Sequence, residues 1–434
     1  DTFFNSLYRN TLINYEQAKR FPKQPRALRK QAAGDHFLDQ GSQWLKLEVD
    51  HPAMYWLEKS DLDAVGFDMT GKDPRRLKLF NKGEECAIYV HGQDDGSFDS
   101  GDYIEFYGDS HETYYSNSNI YLLTVSTTNG SRMSNKDGSL SQSVDIVTRG
   151  KERVRFKESL FYLTNFENSI NEDRWRWGFV ISGYSSYETW SANVEINNVA
   201  DTVASDCYFK SWVKGGSDTD EDPDHHVIIS MFPQADLNDS TTVLDYQFDG
   251  ELMSIRETSI DQSTLNNGSI QVKYFGPGDT GASLDRFYIM KFEIEYWQDF
   301  IALQDSLSFN AKAGGLCEIH VHGFNNSSLL VYDISDSTAP QRILNTVSSL
   351  QGADYMLAFQ DDVTGGRRYT AITPGHRVKP DSIYLDDSTN WRQSNITSDY
   401  VIIVYDEFFE GVTEFSQFKE QEGYRVHTVK IQDI

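Results

Sequence analysis

The run RFYIMKFEIEYWQDF, residues 286–300, decides the fold. Its apolar residues alternate, with Phe287 and Ile289 first and then, after Met290, Phe292, Ile294 and Tyr296. Successive side chains of an extended chain point to opposite sides, so a period of two marks a strand with one buried face. The even-numbered series is expected to face inward.

The same pattern extends in both directions. CYFKSWVKG (207–215), HHVIISMFP (225–233) and SIQVKYFG (269–276) are strand-like and separated by turn residues. Strands at such spacing predict a β-sandwich over 151–300. CEIHVHGF (317–324), SLLVYDISD (328–336), DYMLAFQ (354–360) and RRYTAITP (367–374) continue it, as expected for an Ig-like sandwich over 301–392. Residues 1–150 read as a β-rich N-terminal domain with short helices. NYEQAKR (14–20) looks helical until Pro22 and Pro25 break it. SDLDAVGF (60–67) predicts a short helix with Ser60 as N-cap and Gly66 as terminator. RRLKLFNKGEECAIYVHG (75–92) predicts two strands around an Asn81–Gly83 turn. Residues 126–150, rich in Ser, Asn and Gly, read as a linker or long loop.

At Asp399 the pattern changes. DYVIIVY (399–405) is a continuous apolar run, as in a strand buried on both faces. Asp406 is an N-cap candidate, and Phe408, Val412, Phe415 and Phe418 fall on one helix face up to Gly423. RVHTVKI (425–431) is expected to be a second buried strand. Strand, helix and strand form a parallel crossover, the opening of an α/β domain over 393–434. Two strands and one helix cannot cover both faces of their sheet, so a continuation past Ile434 is expected. The fold class is thus mainly β and multidomain, with a βαβ unit at the end.

Composition narrows the partners. With 39 Lys and Arg against 66 Asp and Glu, the net charge is −27. That disfavours nucleic acid and anionic membrane surfaces, which need clustered cations. No apolar run is long enough to span a membrane. The chain starts at Asp1 without a basic-then-apolar leader, as a processed or trimmed product would.

Four constellations are candidates for chemistry. HGQDDGSFDSGDYIEF (91–106) places Asp94, Asp95, Asp99 and Asp102 around Gly96 and Gly101. Hard oxygens on a tight loop suit calcium; the competing reading is an acidic loop whose Asx turns satisfy its own backbone. GGSDTDEDPDHH (215–226) puts His225 and His226 beside acids, but adjacent strand residues point apart and cannot easily share an ion. RWRWGFVISGYSSYETW (174–190) is expected to put Trp175 and Trp177 on one strand face with Tyr184, Tyr187 and Trp190 nearby, either core or a sugar-stacking surface. Cys86, Cys207 and Cys317 lie in apolar, strand-like surroundings and read as buried free thiols. GPGDTGAS (276–283) reads as a hairpin turn, since it opens no helix. No nucleophile elbow, HExxH, phosphate loop or dinucleotide fingerprint is present.

DYVIIVYDEFFEGVTEFSQFKEQEGYRVHTVKIQDI (399–434) resembles the opening of the peptidase domain of gingipain-family cysteine proteases, with Asp399, Tyr400, Phe408, Phe418, Lys419, Gly423, Tyr424 and Val426 matching its pattern. Residues 66–110 are similar to the N-terminal region of larger members, through Asp73–Phe80, Gly83 and Asp95–Gly108. GASLDRFYIMKFEIEY (281–296) and LLVYDISDSTAP (329–340) resemble their middle β domains. The resemblance implies a caspase-like domain with a Cys–His dyad, secretion by Bacteroidota-type bacteria to the medium or cell surface, and often bound calcium. It implies polypeptide substrates, and intramolecular packing of these β domains on the peptidase domain. The dyad lies downstream in that family; neither His427 nor any of the three Cys matches it, so no catalytic residue is carried over. The alternative is a secreted surface-binding or adhesive β-sandwich protein without peptidase activity.

Overall fold

The computed structural model describes residues 41–110, 116, 118–164, 173–201, 207–233, 238–265, 268–386 and 397–431. The helical look of residues 14–20 lies outside them.

The central strand is Arg286–Asp299. One side pairs antiparallel with Arg149–Phe156 and Gly178–Ile181, the other with Cys207–Gly215. Against the last, Trp212 faces Lys291 while Val213 faces Ile289, so Met290 is an extra residue. One inserted residue shifts the parity of everything after it. That is why odd-numbered Phe287 and Ile289 and even-numbered Phe292, Ile294 and Tyr296 all reach one core. A second sheet, ordered Thr189–Ile196, Gly268–Phe275, His225–Pro233 and Thr241–Phe248, closes this sandwich. GPGDTGAS joins strands of opposite sheets, so it is a crossover rather than a hairpin turn.

The first sandwich is built on Gly41–Val49, Asn119–Ser126, Leu77–Asn81 and Glu84–Cys86, facing a sheet of Ala53–Glu58, Tyr103–Gly108 and Tyr89–Val90. Lys82 and Gly83, both at positive φ, make the expected turn. The short helix begins earlier than Ser60 implied. It spans Lys59–Ala64, and Asp61 Oδ2 accepts from the Glu58 backbone N–H at 2.7 Å. Asp61 wins the capping role because a carboxylate one turn in can reach back to an orphan N–H.

The third sandwich pairs Ser306–Ala311, Arg367–Ile372, Leu330–Asp333 and Gln341–Leu344 over Val347–Gln351, Asp354–Asp362 and Leu316–Phe324. Two further strands come from the supposed linker. Ser134–Asp137 adds parallel to Gln341–Leu344, and Ile146–Val147 adds parallel to Leu316–Phe324. An ion pair anchors the first of these: Lys136 Nζ lies 2.5 Å from Asp361 and 3.5 Å from Asp333, both buried. Polar composition hid the strand because its anchor is a lysine. Conversely, Ser382–Leu385 returns to the first sandwich as an edge strand beside Gly41–Val49. Strand pairing therefore crosses the sequence boundaries at 150 and 301, and residues of the 301–392 segment complete the N-terminal sandwich.

The sandwiches are tightly joined. Met54, Tyr107, Met133, Tyr332, Ile334 and Ile372 form a small core between the first and third. Between the second and third, a Cβ on Gly150 would sit 1.8 Å from the Asn310 carbonyl oxygen, so only glycine allows that approach.

The final unit is Tyr400–Val404 parallel to Val426–Lys430, joined through an α-helix over Thr413–Gln421. The expected longer helix from Asp406 is instead two 3₁₀ turns, Asp406–Phe408 and Glu410–Val412, before the α-helix starts. Gly411 and β-branched Val412 disfavour α-helix there. Phe408 is consequently exposed rather than on the helix face. Lys419 is the buried residue of that helix, its ammonium within 6 Å of the rings of Tyr400, Phe415, Phe418 and Tyr424.

Candidate functional site

The acidic loop opens on Gly92 and turns at Gly96 and Gly101, all at positive φ. Gln93–Asp95 forms a 3₁₀ turn. Asp95 Oδ1 accepts from the Ser97 N–H at 2.9 Å, and Asp102 Oδ2 accepts from the Asp99 N–H at 2.7 Å. The Asp102 carboxylate occupies the space a side chain on Gly92 would need. Two of the four candidate carboxylates are thus tied to their own backbone, and Asp94 and Asp99 are exposed. Among the described residues no group of three or more His, Cys, Asp or Glu is placed to hold a metal ion.

The adjacent histidines point to opposite sides, as strand geometry requires. His225 is fully buried. Its Nδ1 lies 2.8 Å from Asp285 Oδ1, its Nε2 lies 3.1 Å from the Ser217 carbonyl oxygen, and its ring packs 4.6 Å from that of Phe248. Asp224 Oδ1 is 3.4 Å away and accepts from the Gly250 N–H. Burial pushes the imidazole pKa down, but the Asp285 hydrogen bond and the charges of Asp224 and Asp285 outweigh it, and the net shift is upward. Ser182 Oγ donates to Asp285 Oδ2 at 2.6 Å. Serine, aspartate and histidine are in contact, but the serine hydrogen is given to the carboxylate. The imidazole does not reach the hydroxyl, so no nucleophile is activated. His226 lies between Asp279 and Asp245 at 2.6 and 2.8 Å on the other face, its pKa also raised.

The aromatic run divides. Trp177 is core, stacked on Phe292 and edge-on to Trp190. Trp175 is half-buried against Tyr162, while Tyr184 and Tyr187 are exposed. A bend at Trp177 separates the two tryptophans, so they do not form one strand face. All three cysteines are buried, and burial pushes the thiols of Cys86 and Cys317 up to about 11 and that of Cys207 upward. A thiol held protonated in apolar surroundings is a poor nucleophile.

Sequence reasoning did not find the acid partners Asp285, Asp279 and Asp245, which lie 60, 53 and 19 positions from their histidines. Nor did it find Glu105, a carboxylate buried in a strand that reads as apolar. A lone acid at an inward position was the available signal.

No family model and no curated protein matches the sequence. Among solved structures, the chain is similar to dimeric latent PorU from Porphyromonas gingivalis, with 14% identity and a TM-score of 0.61, over 91% of this chain and 37% of that one. At that identity the likeness shows the fold, which is PorU-like along nearly the whole chain. Weaker similarities are to BuGH86 in complex with neoagarooctaose (11% identity, 59% of this chain and 33% of that one, TM-score 0.21) and to the infectious bursal disease virus Gx strain (10% identity, 82% and 72%, TM-score 0.22).

Proposed function

We propose that this chain is the non-catalytic N-terminal region of a secreted gingipain-like cysteine endopeptidase. The PorU-like fold over 91% of the chain carries the reading. The gingipain-like stretches at 66–110 and 399–434 agree with it. On this reading the peptidase domain begins at the parallel strand–helix–strand unit. A downstream thiolate attacks a peptide carbonyl, a histidine takes and returns the proton, and an acyl-enzyme is hydrolysed. The three sandwiches supply a rigid platform against which that domain packs. Val401 and Ile403, exposed on the two-stranded sheet, would be covered by the rest of the domain.

The test is to read the coding frame past Ile434 and assay the whole product on a fluorogenic peptide, with and without a thiol-alkylating reagent. A histidine and a cysteine at strand ends and alkylation-sensitive hydrolysis are expected. A continuation without them, or no continuation, overturns the proposal.

A further inference from the structure

Where the second and third sandwiches meet, a cleft of about 660 Å³ opens between Gly150–Lys151 and Trp297 on one wall and the Asn310–Lys312 and Gly365–Arg368 segments on the other. That volume is in the range of small-ligand sites. Its charge is opposite to the molecule's. Lys and Arg are 39 of 434 residues, about one in eleven, yet four of the eleven residues lining the cleft are Lys151, Lys312, Arg367 and Arg368, and none is acidic.

Neighbouring acids offset this cluster only in part. Glu295 lies 3.5 Å from Lys151 but is held at 2.6 Å by Arg153. Asp333 lies 3.5 Å from Arg367 and equally far from Lys136. Glu152, beside the cleft, accepts from Asn310 Nδ2 at 2.7 Å; burial pushes its carboxyl upward, and the nearby charge of Arg368 offsets part of that. Lys312 and Arg368 are exposed. Lys151 is fixed in place over the rings of Tyr208 and Trp297, 5.4 and 5.8 Å from their centres. Two cations held in shared ion pairs, with exposed Lys312 and Arg368 beside them, around a floor that glycines at 365 and 366 leave open, suit a ligand that brings its own negative charge. Arginine forks and lysine ammoniums both favour oxyanions.

We propose that this cleft binds a small polyvalent oxyanion, a di- or tricarboxylate or a phosphate of similar size. A single charge would answer only part of the cluster, so polyvalence is the discriminating property.

Isothermal titration of the 434-residue chain at fixed ionic strength tests it, with citrate and pyrophosphate as probes and acetate as the monovalent control. Citrate or pyrophosphate should bind and acetate should not, and the stronger of the two identifies the carboxylate or phosphate source. The double variant Lys312→Gln/Arg368→Gln should bind about tenfold or more weakly, since each charge-assisted contact is a strong one. The single variant Lys312→Glu, at an exposed side chain, should weaken binding in the same direction while circular dichroism stays native. Absence of binding by both polyvalent probes, acetate binding as tightly as citrate, or undiminished binding in the variants overturns the proposal.

Discussion

Arg377 Nη1 donates to Glu105 Oε1 across 272 positions of sequence. The carboxylate is 1% exposed, and its other oxygen accepts from the Tyr332 hydroxyl at 2.9 Å. The guanidinium sits between Trp56 and Tyr103, 4.6 and 4.8 Å from their ring centres. One buried charge therefore ties the first sandwich, the third and the returning segment together. Removing one member of a buried pair leaves the other desolvated, so Arg377→Ala should lower unfolding stability by about 3–5 kcal/mol in urea titration. The double variant Glu105→Gln/Arg377→Met should recover part of that. A loss below about 1 kcal/mol would show that the pair contributes little to the joint.

Lys136 plays the same role for the strand hidden in the polar segment. Lys136→Ala takes the nearest cation from Asp361 and leaves Asp333 with Arg367 at 3.5 Å, both carboxylates 3% exposed, and should cost about 3 kcal/mol. Limited proteolysis should then cut within 126–150 faster than in the parent chain. Unchanged cutting would mean that strand pairing alone holds the segment.

The buried histidine gives a pH dependence with a definite sign. Its folded-state pKa is raised above 6.5, so its contribution is fully present below 6.5 and is lost as pH rises through the folded value. A tenfold gain in proton affinity on folding corresponds to about 1.4 kcal/mol. Urea titrations from the acid side of 6.5 upward should show parent and His225→Gln differing most at the acid end and converging upward. His226→Gln should change little, because its partners Asp245 and Asp279 are 59% and 56% exposed and well screened. The reverse slope for His225 would mean that the imidazole is held neutral.

The calcium expectation at Asp94, Asp95, Asp99 and Asp102 has a direct measurement. With Asp95 and Asp102 bound to their own backbone, melting temperatures in calcium and in chelator should coincide. A rise of several degrees in calcium, abolished by Asp99→Asn, would place an ion there.

Lys419 is expected to act locally. Its ammonium pairs with Glu422 at 2.8 Å while sitting among four aromatic rings. Lys419→Ala should cut hydrogen-exchange protection across 400–430 and leave Arg286–Asp299 unchanged. Equal loss in both regions would show that the final unit and the central sandwich unfold together.

Sequence alone determined the strands whose burial is written in period two. Phe287 to Tyr296 even recorded the bulge at Met290 as a change of parity, because side-chain direction depends only on position along an extended chain. It also determined that His225 and His226 face apart, and that 399–431 is a parallel crossover. What only the tertiary structure decided were partners distant in sequence. Lys136 reaching Asp361, Ser382–Leu385 returning to Gly41–Val49, and Lys151 meeting Arg367 and Arg368 across a cleft leave no local periodicity. Each depends on charges or edges brought together by packing. The energy of such contacts comes from low dielectric and exclusion of water, which exist only once the sandwiches have closed.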